Sequence, residues 1–325
     1  MKTFIKEIKE RILAEGQITY EEAVKLMEID EKDEETLTIL FDAANSVREK
    51  FVGNQADLCT IMNAKSGRCS EDCKYCAQSS HYQTGVEVYD LLEYDKILKR
   101  ALEMERDGAH RFSLVTSGRG MEEEDFEKLL KIYQRLKMDT NLKICASHGI
   151  ISYEQAIKLK EAGVSMYHHN VETSKEFYES ICTTHTYEDR INTIKNVQKA
   201  ELDLCCGGII GLGETCKDQV KMAFEIKELG IKSVPINILN AIKGTPLENN
   251  EKISPLKALK TMAVFRLVIP DGSIRYAGGR IALGEMQHVG FKAGVNAALV
   301  GNYLTTVGNK ITEDIKMIKE QGFEV

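Results

Sequence analysis

Two rhythms of apolar and polar positions divide the chain. Over the first fifty residues, apolar side chains recur at helical spacing. Phe4, Ile5, Ile8, Ile12 and Leu13 make one stripe that Gly16 should end, and Leu37, Leu40, Phe41, Ala44 and Val47 make another. Between them, Thr19-Tyr20-Glu21-Glu22 has the capping-box form and predicts a helix running through Met27. From residue 58 the rhythm changes to short β-branched runs alternating with amphipathic stretches. This predicts eight strands, over 58–62, 111–116, 142–146, 165–169, 202–207, 234–239, 274–277 and 296–300. The intervening helices carry their own punctuation. Asp90/Glu93, Ser152/Gln155, Thr186/Asp189 and Thr215/Asp218 are spaced as capping boxes, and Ser254-Pro255 places proline at a first helical position. Gly108, Gly163 and Gly230 each stand where a helix must end before the next strand.

Strictly alternating strands and helices imply a parallel sheet. Eight units, with no dinucleotide-type glycine fingerprint after the first strand, favour an α/β fold of the (β/α)8 TIM-type barrel class over an open doubly wound sheet. The 325 residues exceed the roughly 250 such a barrel needs. Residues 1–50 are therefore expected as an N-terminal helical extension on a barrel domain with a C-terminal segment, spanning 51–325, since fifty residues alone make a marginal core.

Composition narrows the function. The net charge of −7 comes from interspersed acidic and basic residues, which argues against nucleic-acid binding. No run approaches the roughly 20 apolar residues of a membrane span. The opening MKTFIKEIKERILAEG has charges throughout and no apolar core, so no secretory signal is expected and the protein should be cytoplasmic. Nine cysteines, three of them in one short loop, do not make a disulfide framework.

That loop, CSEDCKYC, follows the first predicted strand, where a barrel carries its chemistry. Cys69, Cys73 and Cys76 leave one coordination position open. The residues alone allow a Cys3His zinc site completed by His81, or a 4Fe-4S cluster with an open iron. The fourth strand ends in Tyr167-His168-His169-Asn170-Val171-Glu172, where Asn170 and Glu172 share a face and suit ribose hydroxyls. The glycine run 207–213 after the fifth strand reads either as a tight turn or as a place where a ligand meets backbone. Cys145 and Cys205 lie on alternate strands, so their thiols can share a layer inside the barrel, with Arg275 from the seventh strand completing it. Cys59, Cys182, Cys206 and Cys216 have no role assigned beyond that of small buried side chains.

The spacing C-x3-C-x-aromatic-C resembles the signature of the radical S-adenosylmethionine (SAM) enzymes. The runs GRCSEDCKYCAQSSHY, HNVETSKEFY, TTHTYEDR, CCGGIIGLGET, SVPINILNAIKGTPL and IRYAGGR resemble the biotin synthase family within them, over roughly residues 40 to 325. The resemblance implies a homodimeric enzyme that inserts sulfur into dethiobiotin, with electrons from flavodoxin or ferredoxin. It implies a 4Fe-4S cluster on Cys69, Cys73 and Cys76, and SAM contacts at Tyr75, Asn170, Glu172 and Arg190. It further implies dethiobiotin contacts at Asn170 and Asn237, and an auxiliary 2Fe-2S cluster on Cys145, Cys205 and Arg275 that donates the sulfur. The chain departs from the family pattern at Ser113, where a fourth auxiliary ligand, a cysteine, is expected, and at His168, where asparagine is expected. Two other readings stay open: a related radical SAM enzyme, such as a hydrogenase-cofactor maturase or a methylornithine-synthase-like mutase, and a zinc-binding protein.

Overall fold

A computed structural model describes residues 1–301 and 310–325. Its nine strand segments form one parallel sheet: β1 (Asp57–Lys65), β2 (Arg111–Thr116), β3 (Lys143–Ser147), β4 (Met166–His168), β5 (Asp203–Cys205), β6 (Gly208–Ile210), β7 (Ser233–Ile238), β8 (Ser273–Tyr276) and β9 (Ala297–Leu299). Their order is β5-β4-β3-β2-β1-β9-β8-β7-β6, and β5 also pairs with β7, so the sheet closes on itself. Because β5 and β6 are two halves of the fifth strand, the closed sheet has eight strand positions and is a (β/α)8 TIM-type barrel. The fifth strand breaks at a definable point. Cys206 N–H still donates to the Ser233 carbonyl at 2.9 Å, but Gly207 N–H turns to the side-chain oxygen of Asn170 at 3.0 Å.

Helices Tyr94–Arg106, Glu123–Asp139, Tyr153–Glu161, Tyr187–Lys199, Cys216–Glu228 and Pro255–Val268 follow successive strands. The reciprocal capping boxes form at Thr19, Ser152, Thr186 and Thr215, and Pro255 opens its helix behind the Ser254 cap. The Asp90/Glu93 box does not form. Glu93 is itself the N-cap and makes no side-chain cap bond, while the Asp90 carboxylate pairs with Arg68 at 3.0 Å.

Of the first three helices, Tyr20–Met27 and Glu34–Phe51 pack on helix Pro255–Val268, and Lys2–Leu13 packs on Glu34–Phe51. A buried ammonium marks the junction: Lys260 Nζ donates to the Ile29 carbonyl at 2.6 Å. Beneath it Arg266, fully buried, spends its donors on the carbonyls of Gly294, Pro270 and Gly272 and on Asn296 Oδ1, all within 2.6–2.9 Å. A buried cation is tolerable only with such satisfaction, and here it ties this helix to the β8–β9 segment. Among the described residues, no helix is long and apolar enough to cross a membrane.

Candidate active site

Strand alternation sends every second side chain inward. Cys59 and Ile61 of β1, Ser113 of β2, Cys145 of β3, His168 of β4, Cys205 of β5, Asn237 of β7 and Arg275 of β8 line a cavity of about 320 Å³ inside the barrel. A second cavity of about 200 Å³ lies above it, lined by the cysteine loop, by Ser117 and Gly149 after β2 and β3, and by Asn170, Glu172, His185 and Arg190. Tyr75, Ser147, His168, Asn170 and Glu172 line both. The two cavities therefore share one wall.

The cysteine loop is stapled down by its own acidic residues. The Asp72 carboxylate accepts from the backbone N–H of Thr183 at 2.8 Å and of Thr184 at 3.2 Å. Burial works against that carboxylate, but the bonds from Thr183 and Thr184 outweigh it and hold it below the usual range. Glu71 Oε2 meets Thr184 Oγ1 at 2.8 Å and His185 Nδ1 at 2.5 Å. Cys69 and Cys73 are buried and Cys76 half-buried. Burial pushes the Cys69 thiol up and the Cys76 thiol up to about 11, and the contact with Cys182 raises Cys73.

The zinc alternative does not fit this geometry. His81 is exposed and its Nε2 meets the Ser70 carbonyl at 2.9 Å. A single tetrahedral ion with metal–sulfur bonds of about 2.3 Å would hold its sulfurs about 3.8 Å apart. Among the described residues, the only trio of ligand atoms mutually within 4.8 Å is Cys73, Cys182 and His185, so the three loop sulfurs are spread more widely than one ion requires. The donor set, three thiolates with a wide separation, suits a multi-iron cluster.

At the junction of the two cavities, Glu172 has a left-handed backbone, with φ of 70°. The neighbouring glycines permit the close packing there. A Cβ on Gly207 would stand 1.8 Å from the Pro235 carbonyl oxygen, and one on Gly208 would stand 2.4 Å from that of Glu172. The glycine run thus brings the fifth strand against the end of the fourth. Gly207 N–H fixes Asn170, whose Nδ2 donates to Glu172 Oε2 at 3.3 Å. Arg190, buried, donates from Nε to Tyr178 at 2.7 Å and from Nη1 to the Asn170 carbonyl at 3.1 Å. Asn237 is likewise held: its Nδ2 donates to the Gly208 carbonyl at 3.1 Å, and its Oδ1 accepts from Gly278 N–H at 2.8 Å.

The floor of the inner cavity is ionic. Asp57 accepts from Arg111 Nε at 3.0 Å and pairs with Arg275 Nη2 at 2.5 Å, while Arg275 Nη1 donates to the Asp57 carbonyl at 3.0 Å. Burial disfavours the Asp57 carboxylate, yet the imidazole of His110, 3.8 Å away, and the two guanidinium charges hold it far below the usual carboxylate range.

The residues expected to hold a cluster, SAM or dethiobiotin all line these two cavities, whereas His81 lines neither. Three further participants do not come from that reading. Cys59 faces the inner cavity, a position its strand parity with Ile61 would have signalled. Glu71 and His185 brace the cysteine loop, and neither has a local sequence signal, because they meet only through the fold.

Residues 64–240 match the Radical SAM superfamily, and residues 235–324 match the Biotin and Thiamin Synthesis associated domain. The chain is 59% identical over 325 residues to the biotin synthase of Clostridioides difficile (strain 630), covering all of both chains. It is 60% identical over 319 residues to that of Acetivibrio thermocellus, covering 98% of each. Among solved structures, methylornithine synthase (PylB) superposes with a TM-score of 0.84 at 20% identity, over 98% of this chain and 96% of that one. HydG, a maturase of the [FeFe]-hydrogenase, gives 0.83 at 18% identity, over 99% and 75%. These two likenesses carry the fold; the full-length identities carry the function, and they decide against the maturase and mutase readings that Ser113 had left open. The chain is a radical SAM enzyme belonging to the biotin synthase family.

Proposed function

We propose that the two joined cavities divide between them the conversion of dethiobiotin to biotin. Cys69, Cys73 and Cys76 hold a 4Fe-4S cluster at the outer cavity, and SAM fills the space beside it against Tyr75, Asn170, Glu172 and Arg190. Dethiobiotin lies across the inner cavity against Asn170 and Asn237. Cys145 and Cys205, with Arg275 beside them, serve an auxiliary 2Fe-2S centre, and the Ser113 hydroxyl, a harder donor than thiolate, is the weakest candidate among its ligands. When bound, the cluster and SAM supply a carbon-centred radical and the auxiliary centre supplies sulfur.

The chain's own work is positioning and exclusion of water. Asn237 has its amide orientation set by Gly208 and Gly278, leaving one N–H and one lone pair for a ligand amide or urea group. Asn170 stands between the cavities with its oxygen committed to Gly207, so its place does not depend on the ligand. The apolar walls Ile61, Val115, Ile209 and Leu299 deny water to a reactive carbon held there. The observation that carries this reading is the shared lining of the two cavities, which lets a group on one ligand approach a carbon on the other.

The remaining assignments extend the same reading: a homodimer in the cytoplasm, reduced by a flavodoxin or ferredoxin, with residues 1–50 as a helical extension to a barrel domain of residues 51–325. The test is an anaerobic assay of iron- and sulfide-reconstituted protein with dethiobiotin, SAM and reductant. Biotin and 5′-deoxyadenosine are expected. Cleavage of SAM with no biotin, even with sulfide supplied, would overturn the proposal.

A further inference from the structure

Inside a barrel, inward side chains from alternate strands share a level. The first, third, fifth and seventh strand positions are β1, β3, β5 and β8. They carry Cys59, Cys145, Cys205 and Arg275, and all four face the inner cavity. Three thiols and one guanidinium therefore make up a single alternate-strand set. Ser113, on β2, belongs to the other set.

Cys59 and Cys145 stand on strands that both face this cavity, and Cys205 Sγ accepts from Ser233 Oγ at 3.3 Å. Cys59 is not a packed core cysteine. Its neighbours Leu58 and Thr60 are buried at 0% and 1%, whereas Cys59 keeps accessible surface, and that surface lines the cavity. The fourth member of the set is differently committed. Both terminal nitrogens of Arg275 are engaged by Asp57, so its guanidinium is held as a charge beneath the thiols.

We propose that Cys59 is a ligand of the auxiliary iron–sulfur centre, and that in this chain a thiolate on β1 takes the place of the cysteine that Ser113 replaces on β2. The proposal rests on the auxiliary centre proposed above. Its physical basis is donor chemistry. Thiolate is the soft donor that iron–sulfur centres take, and a serine hydroxyl must lose a far more tightly held proton to compete. Three thiolates in one buried chamber also explain the pair of cations at its floor. Arg111 and Arg275 share a single carboxylate, Asp57, which leaves positive charge to meet anionic sulfur above it.

The test counts iron and acid-labile sulfide per chain in anaerobically reconstituted full-length protein, with Mössbauer spectra, for wild type and Cys59→Ala, Cys145→Ala and Ser113→Ala. Cys59→Ala is expected to lose the same iron and sulfide as Cys145→Ala, while Ser113→Ala retains the wild-type content. The iron on the Cys69 loop is an internal control, since its persistence in each variant reports a folded barrel. Wild-type iron in Cys59→Ala, or a loss in Ser113→Ala equal to that in Cys145→Ala, would overturn the ligand assignment alone. Full iron in Cys145→Ala would remove the auxiliary centre itself, and the assignment with it.

Discussion

Arg190 Nη1 stands 3.4 Å from Glu172 Oε1, a pair in which both side chains are about nine-tenths buried. The two come from the helix after the fourth strand and from that strand's own end, so their meeting locks the mouth between the cavities. Arg190→Met leaves the carboxylate buried without its cation, which should cost about 3 kcal/mol in stability. Denaturant titration checks this. Arg190→Lys keeps the charge but loses the bonds to Tyr178 and the Asn170 carbonyl, so it should weaken SAM binding at least tenfold with a smaller loss of stability. Equal stability of wild type and Arg190→Met would remove the pair from the account.

Gly208→Ala tests whether the glycine run acts through packing. The added methyl meets the Glu172 carbonyl and Met222 Sδ at 2.4 and 2.3 Å. Glu172 must move, and overpacking of this kind costs about 1–3 kcal/mol. A lowered Tm together with a raised KM for SAM is expected. A variant with wild-type values for both would show that the segment relaxes freely.

His148 gives the stability a pH dependence. It is buried between Thr116 Oγ1 at 2.9 Å and Tyr133 Oη at 2.6 Å, and burial pushes it down to about 3. The unfolded chain, with an ordinary imidazole near 6.5, therefore binds the extra proton between these values. The stability from the neutral ring is complete above about pH 6.5 and is lost as pH falls toward 3, at about 1.4 kcal/mol per unit. Burial lowers His168 and His169 too, so the full slope exceeds one proton. His148→Gln should reduce the slope of unfolding free energy against pH by about one proton between pH 4.5 and 6. An unchanged slope would refute the assignment.

The raised thiols of Cys69, Cys73 and Cys76 bear on cluster loading. Each must lose a proton to become a ligand, and burial of Cys69 and Cys76 and the Cys182 contact at Cys73 have made that harder. Metal binding then releases protons, so affinity should rise with pH. Iron incorporation in anaerobic reconstitution is expected to be greater at pH 8.5 than at pH 6.5, with net proton release in weakly buffered solution. Loading that is flat across this interval would contradict the thiol environment described.

Much of this architecture was legible locally. Capping boxes at Ser152, Thr186 and Thr215 and the stop glycines 108, 163 and 230 are short-range signals, and they formed as expected. Asp90 failed because the helix starts later, behind Glu93 as its N-cap, and the Asp90 carboxylate pairs with Arg68 instead. The fifth strand broke because Asn170, just past the end of β4, captures the N–H of Gly207.

The amino-acid order by itself determined the eight strand–helix units, the loop of three cysteines and the family, because periodicity, capping and signature spacing are properties of neighbouring residues. Tertiary structure alone decided which cysteines meet. Cys59 and Cys145 face one cavity, and Cys73 lies 3.7 Å from Cys182, only because barrel closure and strand register bring distant strands and loops to one level. The pairing of Glu71 with His185 and of Asp57 with two arginines was decided in the same way. Buried charge is stable only where a partner arrives through space, and no run of neighbouring residues records that arrival.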